Sequence, residues 1–332
     1  MSAAGHPHRN PFGNQHPNPA WTLREERRPS LQEPSAPVSI PRQILPDSTY
    51  LLTRRCFQRQ FLLRPDRRVN QIFRFCLAYA VRRFEIQLHA FCMLSNHYHL
   101  VVTDTRGNLP EFMHWFNEYV AKCVNAKLGR WESFWSPGSY SAVRLDDAND
   151  ILAKMLYVHL NPVEAGLVSK AKDWPGERSL PSDMGAPPVS VVRPAGFFRE
   201  MGPVPRRVEL EIVLPDSLSE REVGWLEERI AAGERECAAR RIERNNRFMG
   251  RRRILRQSPF SRPRPGEPRQ KLNPRVAARD KWRRIELLQR LSLFVGAYRN
   301  ARRRFLDGER NVEFPSGTYW MRLRCGVLCA GP

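Results

Sequence analysis

Two short stretches carry side chains whose types and spacing can do chemistry together. The first is Asn96-His97-Tyr98-His99. On a strand, residues i and i+2 point to the same face, so His97 and His99 can present two imidazoles to one ion. The same spacing also fits a strand with two ordinary histidines on a polar face. The second stretch is Tyr157-Val-His-Leu-Asn161-Pro-Val163. On a helix, i and i+4 share a face, which stacks the Tyr157 phenol one turn from the Asn161 amide. That pair is sensible around a metal-bound phosphate, with the amide oxygen as a third ligand and the phenol as the attacking group. A tyrosine in a last helical turn also packs commonly at a core rim. Each stretch alone therefore leaves both readings open.

The elements that must position these groups are legible from hydrophobic periodicity. A strand is expected over 48–56. A helix opens at Pro65-Asp66, with apolar Val69, Ile72, Phe73, Cys76, Tyr79, Ala80 and Phe84 at helical spacing. Strands are expected over 86–94 and 97–103, joined tightly by Ser95-Asn96. A helix runs from Leu109-Pro110 to about Leu128, ended by Gly129. A short strand follows at 140–144, then a helix from about 148 to 160, stopped at Pro162 because proline disfavours helical geometry in the residue before it. The order β-α-β-β-α-β, then helix, is the split βαβ pattern. It predicts an α+β fold with a ferredoxin-like domain, an antiparallel sheet with helices on one face.

The rest of the chain is less regular. Residues 1–40 are rich in Pro, Asn, His and Arg and read as a disordered N-terminal arm. A first domain is expected over 41–180, a Pro/Gly-dense linker over 181–206, and a basic, mainly helical region over 207–332. Within that region a strand is expected at 208–214. Ser217-Leu-Ser-Glu220 reads as a capping box opening a helix to about Asn246. Residues 258–274 are Pro/Arg-rich and expected to be extended, and 277–306 should be helical.

Charge narrows the class of partner. The 332 residues hold 55 Lys+Arg against 34 Asp+Glu, a net of +21. Most of the excess lies between Arg240 and Arg310, where 23 basic residues face 6 acidic ones. Such an imbalance points to a polyanion, because neutralised phosphates release their counterions. Aromatics interleave the arginines, so phosphate contacts from Arg251, Arg252, Arg253, Arg283 and Arg284 and stacking on unpaired bases are expected there. No apolar run is long enough for a membrane span, and no secretory signal is visible. The seven cysteines are scattered and odd in number, which favours a reducing compartment. Cys325 and Cys329 alone are a weak zinc signature. His89 reads as a core or polar-face histidine, with support of the site as its alternative. His159 and His114 read as surface residues. Tyr98 should alternate away from its flanking histidines, and Tyr119 should be core.

Taken together, the two stretches resemble the REP-associated tyrosine transposases, within the single-tyrosine HUH superfamily of insertion-sequence transposases. The carrying residues are Leu88-His-Ala-Phe-Cys-Met-Leu-Ser-Asn-His-Tyr-His-Leu-Val-Val102 and Tyr157-Val-His-Leu-Asn-Pro-Val-Glu-Ala-Gly-Leu-Val168, with Asn125-Ala-Lys-Leu-Gly-Arg-Trp131 and Phe134-Trp135 between them. The resemblance covers roughly residues 45–178. It implies a ferredoxin-like catalytic domain, a divalent Mg²⁺ or Mn²⁺ held by His97, His99 and Asn161, and Tyr157 as nucleophile on single-stranded or hairpin DNA. The products would be a 5′-phosphotyrosine link and a free 3′-OH. It leaves room for a homodimer in which the tyrosine serves either subunit, and it implies a cytoplasmic, nucleoid-associated protein. Departures occur at Ser136-Pro137-Gly138 and after Trp174, where the family's usual residues are absent. The rival reading is a non-catalytic DNA- or RNA-binding protein derived from a transposase.

Overall fold

The structure is a computed structural model that describes residues 40–263 and 274–331. The arm expected over 1–40 lies outside the described residues except for Ile40, and so does most of the extended segment expected over 258–274. Four strands build the centre: β1 (Ser48–Arg55), β2 (Ile86–Leu94), β3 (His97–Asp104) and β4 (Ser141–Leu145). They pair antiparallel in the order β2-β3-β1-β4, the order of a ferredoxin-like sheet. A short fifth strand, β7 (Val276–Ala277), joins parallel to β4. The helix expected from 277 therefore begins later, as α6 (Lys281–Leu306), where the Asp280 carboxylate accepts from the Arg283 N–H at 2.6 Å.

The two crossover helices, α1 (Arg67–Arg83) and α2 (Leu109–Leu128), cover one face of the sheet. Asp66 caps α1 by accepting from the N–H groups of Arg68 and Val69, both at 2.9 Å. Gly129 ends α2 in the left-handed conformation that its missing Cβ permits. Between them, Phe73 sets its ring against Tyr98 and Phe116 at 5.7 and 5.4 Å. The opposite face carries α3 (Ala148–Glu164), packed on Leu51, Ala90, Cys92, Leu94, Val101 and Val143. Pro162 does not stop α3. The proline lacks one N–H, but the Asn161 carbonyl still accepts from Ala165 at 3.0 Å, so the last turn closes around it.

The linker expected over 181–206 is a packed part of the fold. Val189–Val192 forms strand β5 and pairs antiparallel with β6, Arg207–Leu210. Val191, Val204, Val208, Leu210 and Ile212 enter the core under α1. The prolines and glycines that gave the segment its loop-like composition lie outside the paired residues, and the alternating valines decide the outcome. The strand expected at 208–214 is accordingly shorter, although the Val213 N–H still donates to the Leu88 carbonyl at 2.8 Å. The described residues from Ile40 onward cluster together by their contacts.

The C-terminal region is mainly helical as expected. Its first helix, α4 (Glu220–Glu243), is capped two residues later than the sequence suggests, with the Ser219 N–H donating to the Glu222 carboxylate at 2.8 Å. α4 lies over the outer face of α3, where a Cβ added to Gly233 would meet a Leu160 methyl at 2.5 Å. α5 (Arg251–Arg256), α6, β8 (Glu313–Phe314), α7 (Trp320–Cys325) and β9 (Leu328–Cys329) follow. Arg283 of α6 pairs with Asp146, just past β4. Among the described residues no helix is long and apolar enough to cross a membrane.

If β5 and β6 are core, Leu210→Ala should cost about 2–5 kcal/mol. Urea denaturation of the full chain checks this; a loss under about 0.5 kcal/mol, the scale of a surface change, would return the segment to linker status.

Candidate active site

The β1–β3 register sets the site. It places Thr53 opposite His99 and Arg55 opposite His97. Tyr98 turns to the α1/α2 side, where it is buried and donates to the Asn117 amide oxygen at 2.8 Å. Its neighbours His97 and His99 therefore turn to the α3 side, their ring centroids 4.8 Å apart. His99 Nδ1 lies 2.7 Å from Thr53 Oγ1, and His97 Nδ1 lies 2.7 Å from Asn96 Oδ1. Both partners orient the rings through Nδ1, so that each Nε2 points away from them. Asn96 is itself anchored, donating from Nδ2 to the Arg59 carbonyl at 3.3 Å.

α3 brings the phenol to this pair. The Tyr157 hydroxyl is 3.3 Å from His99 Nε2, and the two rings meet edge-on with centroids 5.1 Å apart. Asn161, one turn on, is buried and its side chain hydrogen-bonds the phenol. Tyr157 itself is 44% exposed, so a substrate can reach it. The residues that the sequence put together, His97, His99, Tyr157 and Asn161, are one constellation in space.

Electrostatics fix the protonation states. Burial, with Arg55 and Arg59 nearby, lowers His97 to about 3. Burial, His97 and Arg55 hold His99 well below the usual imidazole range. Both rings are therefore neutral at physiological pH, the form that binds metal. Partial burial raises the Tyr157 phenol above its ordinary value, opposed by the Asn161 bond and by Arg55. It is a protonated, weak nucleophile that needs an activated electrophile.

This donor set fits a divalent ion. Two neutral imidazoles, each oriented through Nδ1, match the way ligating histidines are held, and an ion on His99 Nε2 would take the place of its bond to the Tyr157 hydroxyl. Among the described residues no group of three or more His, Cys, Asp or Glu side chains gathers anywhere. An ion here would rest on two imidazoles and the Asn161 amide, with positions left open for substrate oxygens. Cys325 and Cys329 likewise gain no third His, Cys, Asp or Glu ligand among the described residues.

The expected basic residues divide. Arg251, Arg252 and Arg253 are exposed on α5. Their segment is strapped at both ends. Met249 and Gly250 donate to the carbonyls of Gly166 and Leu167 just after α3, each at 2.9 Å. At its other end, Leu255 accepts from Arg64 at 2.9 Å and Ser261 from the Phe61 N–H at 2.9 Å. The strap thus runs from the end of the Tyr157 helix to the turn that carries Arg59. Arg283 and Arg284 lie elsewhere. Arg283 is held by Asp146 and Glu286, and Arg284 donates to the Ala278 carbonyl at 3.3 Å, at the opposite end of the strands.

Sequence reasoning missed Arg55 and Arg59. Only the strand register puts Arg55 opposite His97, and nothing in local spacing reports it. His159 was expected at the surface, yet it is buried. Burial lowers the imidazole to about 4, helped by the nearby Arg178 charge and opposed by the bond that the imidazole gives to the Ser179 backbone carbonyl. His89 is a core residue, its Nδ1 2.8 Å from the Val213 carbonyl and its Nε2 2.8 Å from Thr103 Oγ1. His114 is exposed, and Tyr119 stacks on Trp115 at 4.3 Å as expected of a core-side ring.

The site is thus a ferredoxin-like sheet whose paired-histidine strand is crossed by a tyrosine helix. Comparison with known proteins names the family that the sheet and the tyrosine helix resemble: residues 48–160 match the model of the IS200-like transposases. That match supports a DNA-processing function of the transposase type. Among solved structures, a REP-associated tyrosine transposase bound to a REP hairpin is 19% identical with a TM-score of 0.37, over 43% of this chain and 82% of that one. A putative transposase from Deinococcus radiodurans R1 is 15% identical with a TM-score of 0.27, over 34% of this chain and 90% of that one. Comparison with curated proteins gives no match.

The buried state of His89 has a pH signature. Burial lowers its pKa, against its bond to Val213 and the Asp216 charge, so the unfolded chain binds the proton more readily. Its contribution to stability is full above the unfolded value of about 6.5 and is lost as pH falls below it. The stability difference between the wild type and His89→Gln should therefore shrink between pH 7 and pH 5 in urea melts. A pH-independent difference would show that His89 does not gain a proton on unfolding in this range.

Proposed function

We propose that this protein is a metal-dependent DNA nickase and strand transferase acting on single-stranded or hairpin DNA. The observation that carries the reading is the Tyr157 hydroxyl set 3.3 Å from His99 Nε2, on the sheet face that His97 shares. Bound Mg²⁺ or Mn²⁺ would polarise and orient the scissile phosphate. His97, His99 and Asn161 are the residues that would hold it. The Tyr157 oxygen attacks the phosphorus, and the bond to the 3′-side oxygen breaks. The phenol loses its proton and the departing 3′ oxygen gains one, leaving a 5′-phosphotyrosine and a free 3′-OH. The link keeps a phosphodiester, so a 3′-OH can reverse the step on another strand without an energy source.

The surroundings support this assignment. Arg55 and Arg59 add positive charge where the pentavalent phosphorus would carry extra negative charge. Arg251, Arg252 and Arg253, held on the strap, are placed to contact the backbone of the bound strand. Thr53 is a positioning residue that acts through the His99 ring.

The test mixes the full chain with end-labelled hairpin DNA, with and without Mn²⁺, and runs denaturing protein gels. A metal-dependent covalent adduct is expected, absent in Tyr157→Phe and in His97→Ala. Intact binding with no adduct on any hairpin would leave the non-catalytic reading, and an adduct persisting in Tyr157→Phe would assign the wrong tyrosine. Thr53→Val should lower divalent-ion affinity about 10- to 100-fold while leaving DNA binding without metal unchanged. Replacing Arg251, Arg252 and Arg253 together by Gln should weaken hairpin binding and flatten its log–log salt dependence by about 0.7 for each phosphate left without its arginine.

A further inference from the structure

On the α1/α2 side of the sheet's β4 edge lies a second cavity, of 370 Å³, that the Tyr157 site does not use. Its walls come from the chain entering β1, from the β1–β4–β7 edge and from α6. Aliphatic groups of Leu45, Ala142, Leu287 and Leu291 and the ring of Tyr50 supply an apolar surface. Leu287 and Leu291 are one helical turn apart, and Tyr50 faces Arg144 across the β1–β4 register, so helix and sheet hold the two sides at a fixed separation.

The polar lining has one sign. Arg42, Arg144, Arg275 and Arg290 line the cavity, and among the described residues no carboxylate does. Two of the four have acidic partners outside the lining: Arg144 lies 3.3 Å from Asp146, and Arg290 lies 2.6 Å from Glu286. The other two do not, among the described residues. Arg42 is held over the Tyr140 ring at 4.1 Å and bonds Ser139 Oγ at 2.9 Å and the Tyr140 carbonyl. Arg275 has a buried Nη1 with no hydrogen-bond partner among the described residues. Burial, and then the Arg42 charge, lower the Arg275 pKa. A buried guanidinium donor left unbonded is a cost of folding unless something binds there.

We propose that this cavity is a nucleotide site, in which the guanidinium groups of Arg42 and Arg275 take the phosphate and the apolar wall under α6 takes the base. Charge, size and shape agree on this class. The volume suits a single nucleotide rather than a duplex. Paired arginines bind phosphate through several donors at once, and Tyr50 and the leucines offer a base a surface that tolerates any sequence. The base-and-phosphate chemistry has two sources, a free nucleotide or an unpaired nucleotide of a DNA strand. The two sources are separated by the competition below, and the DNA source alone rests on the DNA reading of the Tyr157 site, which lies on the other face of the sheet.

The test uses isothermal titration of the full chain with thymidine 5′-monophosphate, thymidine and inorganic phosphate. The monophosphate should saturate the protein below about 1 mM, with either half alone at least about tenfold weaker. Arg275→Gln should weaken monophosphate binding about tenfold or more, the scale of a charge-assisted pair. Leu291→Trp, which fills the apolar wall, should do the same without removing charge; circular dichroism melts confirm that both variants fold. Equal affinity in the wild type and both folded variants, or phosphate binding as tightly as the nucleotide, would overturn the site. Saturating monophosphate should also weaken binding of a hairpin with an unpaired extension if the source is a DNA strand, and leave it unchanged if the source is free nucleotide. The titrations are read in Tyr157→Phe as well, so failure of the nickase reading leaves them intact.

Discussion

Thr53 Oγ1 meets His99 Nδ1 at 2.7 Å because β1 and β3 pair in one register. A slip of one residue would turn both histidines to the α1/α2 face and bring Tyr98, with its phenol, out toward α3. The register is held by burial on both sides of the sheet. Leu52, Tyr98, Leu100 and Val102 fill one core, and Leu51 and Val101 fill the other. Strands buried on both faces leave no polar side to slide toward. The neutral histidines, the reach of Tyr157 and the nearness of Arg55 all follow from that pairing.

Much of this was legible in the chain. The four central strands and three helices announce themselves by period, and the i, i+2 histidines and i, i+4 Tyr157–Asn161 pair needed only a strand and a helix to be correct. What stayed hidden depends on contacts between distant segments. Arg55 and Arg59 join the site through the register and the turn after β1. His159 looks like an outward residue on a helix with one covered face, but α4 gives α3 a second covered face. The β5–β6 hairpin was masked because proline and glycine around four-residue strands swamp the signal of alternating valines. Pro162 looks like a stop, although a proline in the final turn removes few helical bonds.

The basic excess is not spread evenly over one function. Part of it, as at Arg283, goes into ion pairs that fasten α6 to the end of β4. Part of it, on α5, is exposed on the strap that joins the end of α3 to the turn after β1. A third share surrounds the cavity under α6, where two guanidinium groups have no acidic neighbour among the described residues. One count of lysine and arginine thus resolves into attachment, an exposed strap, and a desolvated pocket, and only the three-dimensional partners tell them apart.

The close approach of Gly233 to Leu160 constrains how strands could be exchanged. α3 is pressed between the sheet and α4, with the Cys237 thiol 3.4 Å from the Val163 carbonyl and Arg240 paired with Glu164. To lend its tyrosine to a second molecule, α3 would have to leave both layers and expose Met155, Val158, Leu160 and Val163 to water. Tyr157 is thereby held against the histidines of its own chain by two packed layers. On the proposed reading, the part free to move is the nucleic acid, which would be carried to a stationary tyrosine.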